Sequence, residues 1–356
     1  MERIVFFPFH PDMELLLDSS LTREYIVWGV VSFKEDWENV AAINKRLGRE
    51  PVDELCLLEE CDILCMLDND RNFRTEKYYK ILDCAIANKK EILISPKLVR
   101  ELDLEGYRGE YQILENTLKF GVTLHRLNRI QYINVPIIGI FGLGKNCGKF
   151  EELMTVENFL AKELSANMVL CIASNPLGAL KGYYTWPEFF YAEASFDKKV
   201  RWMNRYVYDL YEKLHPSLIV LEVPEGIAPF QSHEYNHFAE YGLVLSSALE
   251  IDAAIVCTYH MAGQIMQSGI DAITDYFEGK FNIHCCGIAV SSVCFDLPQE
   301  ITEDIIYEKL DHNYIRKHFP EYSGNGIPVF CISDWGQNQT VISGLIQELY
   351  GNANIV

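Results

Sequence analysis

Between Pro136 and Phe150 an apolar run, Pro-Ile-Ile-Gly-Ile-Phe-Gly, passes without a break into Leu143-Gly-Lys-Asn-Cys-Gly-Lys149 and then into a helical pattern. A strand, a Gly/Lys turn and a helix in direct succession form the opening unit of a parallel α/β layer. The turn's backbone N–H groups and the positive end of the helix together make a concave seat for phosphate oxygens. The candidate contacts are Gly142, Gly144, Lys145, Asn146, Cys147, Gly148, Lys149 and Phe150, with the amides of Asn146–Phe150 as the cradle and Lys149 as a mobile point charge. Two departures from the usual phosphate loop weaken hydrolysis as a role. Five residues rather than four separate Gly142 from Gly148, and Leu143 stands where the first glycine belongs. Phe150 occupies the place of the Ser or Thr that would hold magnesium. The bland alternative is a Gly-rich strand-to-helix turn with no ligand.

The rest of the chain repeats this alternation. Upstream, strands are expected at Ile4–Phe9, Tyr25–Ser32, Asp62–Leu67, Glu91–Ser95 and Gly121–Leu124, with a helix over Thr75–Asn88. Downstream the expected strands are Pro136–Gly142, Met168–Ser174, Ser217–Val223, Ala253–Tyr259, His284–Ser292 and Pro328–Ser333. Helices are expected at Lys149–Leu164, Phe196–Leu214, near Ala239–Leu249, and at Ala262–Glu278, Glu303–Leu310 and Gln339–Tyr350. The strands are continuous apolar runs, as in parallel sheets covered on both faces. At 356 residues the chain exceeds the size of one core. The division expected is a Rossmann-like α/β domain over 1–125, a linker over 126–134, and a P-loop NTPase-like parallel-sheet domain over 135–356. Asp68-Asn69-Asp70, at the end of a first-domain strand, is read as a solvated helix cap.

A net charge of −20 opposes extended binding to nucleic acid or an anionic membrane surface. The start of the chain shows no secretory pattern, and eleven dispersed cysteines without Cys-x-x-Cys spacing suit a reducing compartment, so a cytoplasmic location is expected. Cys285 and Cys286 are adjacent on a strand and point to opposite faces, which disfavours a joint metal role.

Other residues add chemistry. The run Ser217-Leu-Ile-Val-Leu-Glu222 ends in a carboxylate, followed by Glu225, and an acid at the carboxyl end of a strand beside a phosphate loop serves as magnesium partner or general base. Glu222 is the first choice, and the metal ligand; Glu225 is the second. Ser174–Gly182 leaves the next strand at the same edge with Lys181, and His260 and Asp334 leave two others as candidate base or substrate contacts. His233-Glu234-Tyr235-Asn236-His237 fits His-Glu-x-x-His, in which helical imidazoles at i and i+4 bind zinc and the Glu activates water. Against that pattern, it follows Pro229 closely and no third ligand is evident.

The loop Gly-Leu-Gly-Lys-Asn-Cys-Gly-Lys-Phe, after a separate Rossmann-like first domain, resembles that of the clostridial peptide maturation system proteins. These occur with radical-enzyme genes in clusters for ribosomally made, modified peptides. A more distant resemblance is to the two-domain P-loop proteins that include D-glutamate N-acetyltransferases and are near dethiobiotin synthetase in fold. Residues 142–150, Ser174–Gly182 and Leu221 to His233 stand where those proteins carry their phosphate loop, a Gly-rich turn and a strand-ending segment with Ser-His. In that segment there is no second histidine, so the resemblance makes His237 a chance completion of the zinc pattern. The chain lacks the family's Thr after the loop lysine and its Gly-Gln after Glu222. The resemblance implies a dethiobiotin synthetase-like second domain and a role in peptide maturation and natural product biosynthesis.

The reading that follows is a P-loop-like protein that binds a small phosphate-bearing ligand, ATP or GTP with Mg, and supports group transfer or ligation with Lys149, Glu222 and Glu225. Its partners would be a precursor peptide and its modifying enzyme, with room for a homo-oligomer. The rivals are a zinc metallopeptidase acting on a leader peptide and a noncatalytic peptide-binding scaffold with a vestigial loop.

Overall fold

The computed structural model describes residues 1–17, 19, 21, 25–49, 54–68, 74–118, 129–163, 168–228, 236–260, 266–296, 305–319 and 326–353. The chain divides into two compact units, Met1–Asn116 with Asn175–Thr185, and Thr117–Ser174 with Trp186–Val356.

The first sheet holds β1 (Glu2–Phe7), β2 (Tyr25–Val30), β3 (Ile63–Met66), β4 (Glu91–Ile94) and β5 (Gln112–Ile113), with α1 (Met13–Leu17), α2 (Trp37–Arg46), α3 (Glu54–Glu60), α4 (Thr75–Ala87) and α5 (Pro96–Glu101) between them. Every pair is parallel and the order is β2-β1-β3-β4-β5, the doubly wound arrangement. Its core joins Val5, Phe7, Leu64 and Met66 to Tyr78, Ile81 and Leu82 of α4. The expected strand Gly121–Leu124 lies outside the described residues.

The second sheet is built from β6 (Ile137–Gly142), β7 (Val169–Ala173), β8 (Tyr184–Thr185), β9 (Leu218–Glu222), β10 (Ala253–Thr258), β11 (Cys285–Val290) and β14 (Val329–Cys331), in the order β14-β11-β10-β6-β9-β7-β8. The helices are α6 (Lys149–Glu163), α7 (Glu188–Tyr191), α8 (Phe196–Leu214), α9 (Glu240–Ala248), α10 (Met266–Phe281), α11 (His312–His318) and α12 (Trp335–Ala353). All six residues of β6, and all six of β10 beside it, are buried. Each Ile or Phe so placed contributes about 1.5–3 kcal/mol against the cost of ordering the chain. Proceeding from β6, the chain goes outward to β7, returns to β9, then passes to β10 on the other side of β6. That reversal makes the carboxyl end of β6 the switch point of the sheet, the place where ligands settle in open parallel sheets.

One expected element is wrong. The described part of Glu303–Leu310 is not helical: Ile306–Lys309 is strand β13, paired antiparallel with β12 (Val293–Asp296), with Phe295 opposite Tyr307. The alternation of Tyr307 and Lys309 with their neighbours has period two, and the cross-strand aromatic pair outweighs the helical preference of Glu308 and Lys309. Asp68 accepts a hydrogen bond from Ser95 Oγ at 2.8 Å and pairs with Lys97 at 3.3 Å, and Arg74 stands at the N-cap of α4. Asn69 and Asp70 lie outside the described residues. The stretch before β6 is tied down at Gln131, whose N–H donates to Asn204 Oδ1 at 2.7 Å while Asn204 Nδ2 donates to its carbonyl at 2.9 Å.

No helix among the described residues is long and apolar enough to cross a membrane. All the described cysteines are free.

Candidate functional site

The loop Gly142–Phe150 leaves β6 at its carboxyl end and enters α6 at Lys149. Its opening is fixed by the sheet: Leu143 N–H donates to Cys257 C=O at 2.8 Å and Gly142 C=O accepts from Ile227 N–H at 2.9 Å. Beyond Leu143 the pattern changes. The amides of Gly144, Asn146 and Gly148 find no acceptor among the described residues. Asn146 and Gly148 both have left-handed backbone, φ 54° and 83°. Left-handed residues interleaved in a turn aim successive N–H groups to one side, which is the geometry of an anion nest at a helix N-terminus.

Glycine is required at two of these positions. A Cβ on Gly148 would meet Ile332 Cδ1 at 2.7 Å and Ser291 Cβ at 2.8 Å, in addition to the strain of its positive φ. At Gly144 it would meet Tyr259 Oη at 2.5 Å. Tyr259 is a brace that the sequence reading passed over in favour of the neighbouring His260. It is buried at the end of β10, donates its hydroxyl to Lys145 C=O, and is stacked on Tyr307 at 5.8 Å and edge-on to Phe295 at 4.9 Å. The β12–β13 pair thus supports the Gly142–Phe150 loop through one ring. An aromatic residue directly after a buried strand was the available signal.

Lys149 departs from the expected mobile charge. It is only 7% exposed, and its ammonium group donates to the carbonyl of Glu225. Lys145 Nζ lies 3.7 Å from Glu225 Oε2. Glu225 therefore meets both lysines, one through its backbone and one through its side chain. Its own backbone is left-handed, φ 57°, an uncommon state for a residue with a Cβ. Asn236 secures the same corner by donating Nδ2 to Ala228 C=O at 2.5 Å and to Leu143 C=O at 3.4 Å.

Glu222 ends β9, next to β6, and is buried. Its Oε2 accepts the Ser174 N–H at 2.9 Å and its carbonyl accepts Trp186 Nε1–H at 2.8 Å, so its orientation is fixed from both ends. The Cys147 thiol is buried inside the loop, 3.1 Å from Gly144 C=O. Burial raises the Cys147 thiol, and Lys149 pulls it back down; burial raises the Cys257 thiol well above the ordinary value. The Cys147 side chain is therefore a buried thiol rather than a thiolate. Phe150 is 2% exposed, its ring packed in the core.

One acid here went unnoticed in the sequence. Glu152, in the first turns of α6, is fully buried with neither carboxylate oxygen hydrogen-bonded, and desolvation pushes it up to about 8.

The donor set suits an anion. Phe150 supplies no oxygen for magnesium, and Glu222 and Glu225 are the carboxylates beside the loop.

The remaining sequence candidates fall elsewhere. Asp334 caps α12, accepting from Gly336 N–H at 3.0 Å and Gln337 N–H at 3.2 Å, which is a structural role. His260 donates its backbone N–H to Val293 C=O at 2.8 Å. Lys181 ends a short helical turn, Pro176–Lys181, that Asn175 caps by accepting from Leu177 N–H at 3.0 Å. His233 and Glu234 lie outside the described residues. His237 is exposed, with φ 47°, in a kinked turn before α9. That residue does not sit on the regular helix that His-Glu-x-x-His zinc binding requires.

No protein-family profile matches the chain, and no curated protein matches its sequence. In fold it is similar to the crystal structure of a DUF1611 family protein from Anabaena variabilis, with TM-score 0.52 and 13% identity over 82% of this chain and 88% of that one. At that identity the likeness shows the fold alone. The crystal structure of a LAO/AO transport system kinase covers 65% of this chain and 68% of its own at 14% identity, but with TM-score 0.28 it is too loose for a fold comparison.

Proposed function

We propose that the second unit binds a phosphate-bearing ligand, a nucleoside triphosphate in the first instance, at residues 142–150. The observation that carries this is the set of unaccepted amides at Gly144, Asn146 and Gly148, positioned where β6 meets the N-terminus of α6. Lys149 would exchange the Glu225 carbonyl for a phosphate oxygen, a charge-assisted bond about twice as strong as a neutral one. Lys145 would turn from the Glu225 carboxylate to a second oxygen. Magnesium, when bound, would supply charge neutralisation on the phosphates, and Glu222 would hold it. Glu225, released from Lys145, would be free to take a proton from an attacking group. The role in maturing a ribosomally made peptide is supported by the resemblance of residues 142–150 alone.

Calorimetric titration of the full chain with ATP, GTP, ADP and pyrophosphate tests the reading. Binding that weakens in Lys149→Ala and loses its magnesium dependence in Glu222→Gln is expected. A parent chain that binds none of the four contradicts it. The peptide role requires nucleotide to change the affinity for the precursor peptide; an unchanged affinity removes that part and leaves the rest standing.

A further inference from the structure

A second cluster of chemical groups is found at the amino end of β11. His284 precedes the strand, Cys286 is its second residue, and Glu348 projects from the C-terminal part of α12. A ligand atom of each lies within 4.8 Å of the other two. The register explains how Cys286 comes to be there. Ala254 pairs with Cys285 and Ile255 with Gly287, so Cys286 is the extra residue of a β-bulge, a device that re-aims a side chain. Cys285 is buried and lies outside this cluster.

We infer that His284, Cys286 and Glu348 form a zinc site that joins the start of β11 to the end of α12. The donors are one imidazole nitrogen, one sulfur and one carboxylate oxygen. That set suits a borderline cation such as Zn²⁺, whereas Mg²⁺ and Ca²⁺ take oxygen shells. A fourth group acts from behind: Glu278 Oε1 lies 3.0 Å from His284 Nδ1 and also accepts the Cys285 N–H at 2.9 Å. A carboxylate on one ring nitrogen orients a ligating imidazole and raises its basicity, the usual support of a zinc-bound histidine. His284 and Glu348 are exposed and Cys286 is half-buried, so the ion has access and the side chains have room to close to zinc-bond length. Three protein ligands leave the fourth tetrahedral position to water or an added donor. Because the Cys286 thiol must release its proton to the solvent on binding, affinity is expected to rise with pH.

The test is zinc titration of the full chain after chelator treatment, alongside Co²⁺ spectroscopy. Uptake of about one equivalent and a thiolate-to-cobalt charge-transfer band are expected. Both should disappear in Cys286→Ser and in His284→Ala, and Glu278→Gln should weaken zinc by about 10–100-fold. Magnesium should not compete. Melting curves without zinc should match the parent's, separating loss of a ligand from loss of fold. No zinc uptake by the parent overturns the inference, as does uptake that survives both ligand substitutions or vanishes in His237→Ala.

Discussion

The carboxyl ends of β1 and β6 are built from similar parts and come out differently. Each is a buried parallel strand at the switch point of its sheet, and each has a buried or half-buried lysine donating to a main-chain carbonyl. After β1, Pro8 has no N–H, Phe9 N–H donates to Ser32 Oγ at 2.9 Å, and His10 N–H donates to Met13 Sδ at 3.2 Å. Lys77 closes that edge on Ser32 C=O at 2.5 Å. After β6, the amides of Gly144, Asn146 and Gly148 have no such partners among the described residues. A switch point alone therefore does not leave turn amides without acceptors. What differs is whether the turn has used up its own donors.

The buried acids give the largest contrast. Asp36 in the first unit accepts Ser32 Oγ–H at 2.6 Å, whereas the Glu152 carboxyl has no hydrogen-bond partner among the described residues. A carboxyl held at about 8 when folded and near 4.5 when unfolded binds its proton more tightly in the native state. Its stabilising contribution is full below pH 4.5 and is lost as pH rises to 8, on the order of a few kcal/mol. Urea unfolding at pH 5 and pH 8 should show that fall in the parent and a flatter profile in Glu152→Gln. An equal fall in both would assign the pH dependence to other groups.

Next in size, Lys149→Ala should weaken nucleotide about 100-fold, close to 2.7 kcal/mol, while Lys77→Ala leaves affinity unchanged. Equal losses in the two would erase the distinction between the edges. Gly148→Ala should cost about 1–3 kcal/mol in chemical denaturation, from strain together with the contacts at Ile332 and Ser291. Gly109→Ala, at φ 90° with nothing within 4 Å, carries strain alone and should cost less. The smallest effect is expected for Tyr259→Phe, about 1 kcal/mol for the lost bond to Lys145 C=O, read from the melting temperature.

The strands that position the loop were legible because a parallel sheet buried on both faces demands unbroken apolar runs, as in Ile137–Gly142 and Ala253–Thr258. Helix Phe196–Leu214 matched to the residue, since a strong 3.6-residue pattern and the left-handed His215 after it mark both its face and its end. The pair at Val293 and Ile306 was harder to read, because the period-two run at Ile306–Lys309 is only four residues long and its aromatic partners, Phe295 and Tyr259, are distant in sequence. At the site, the residue types around the loop could be read, but not their satisfaction. Nothing local in the sequence says that Lys149 rests on Glu225 C=O, that Ser174 holds Glu222, or that Glu152 is without a partner. Such pairings are tertiary and depend on the order of strands.

The most direct test of the account is amide NMR of the full chain during titration with pyrophosphate. The account predicts that the resonances of Gly144, Asn146 and Gly148 move together and saturate, while those of Phe9, His10 and Asp12 stay in place. Unmoved loop amides, or shifts at the end of β1 instead, would contradict it.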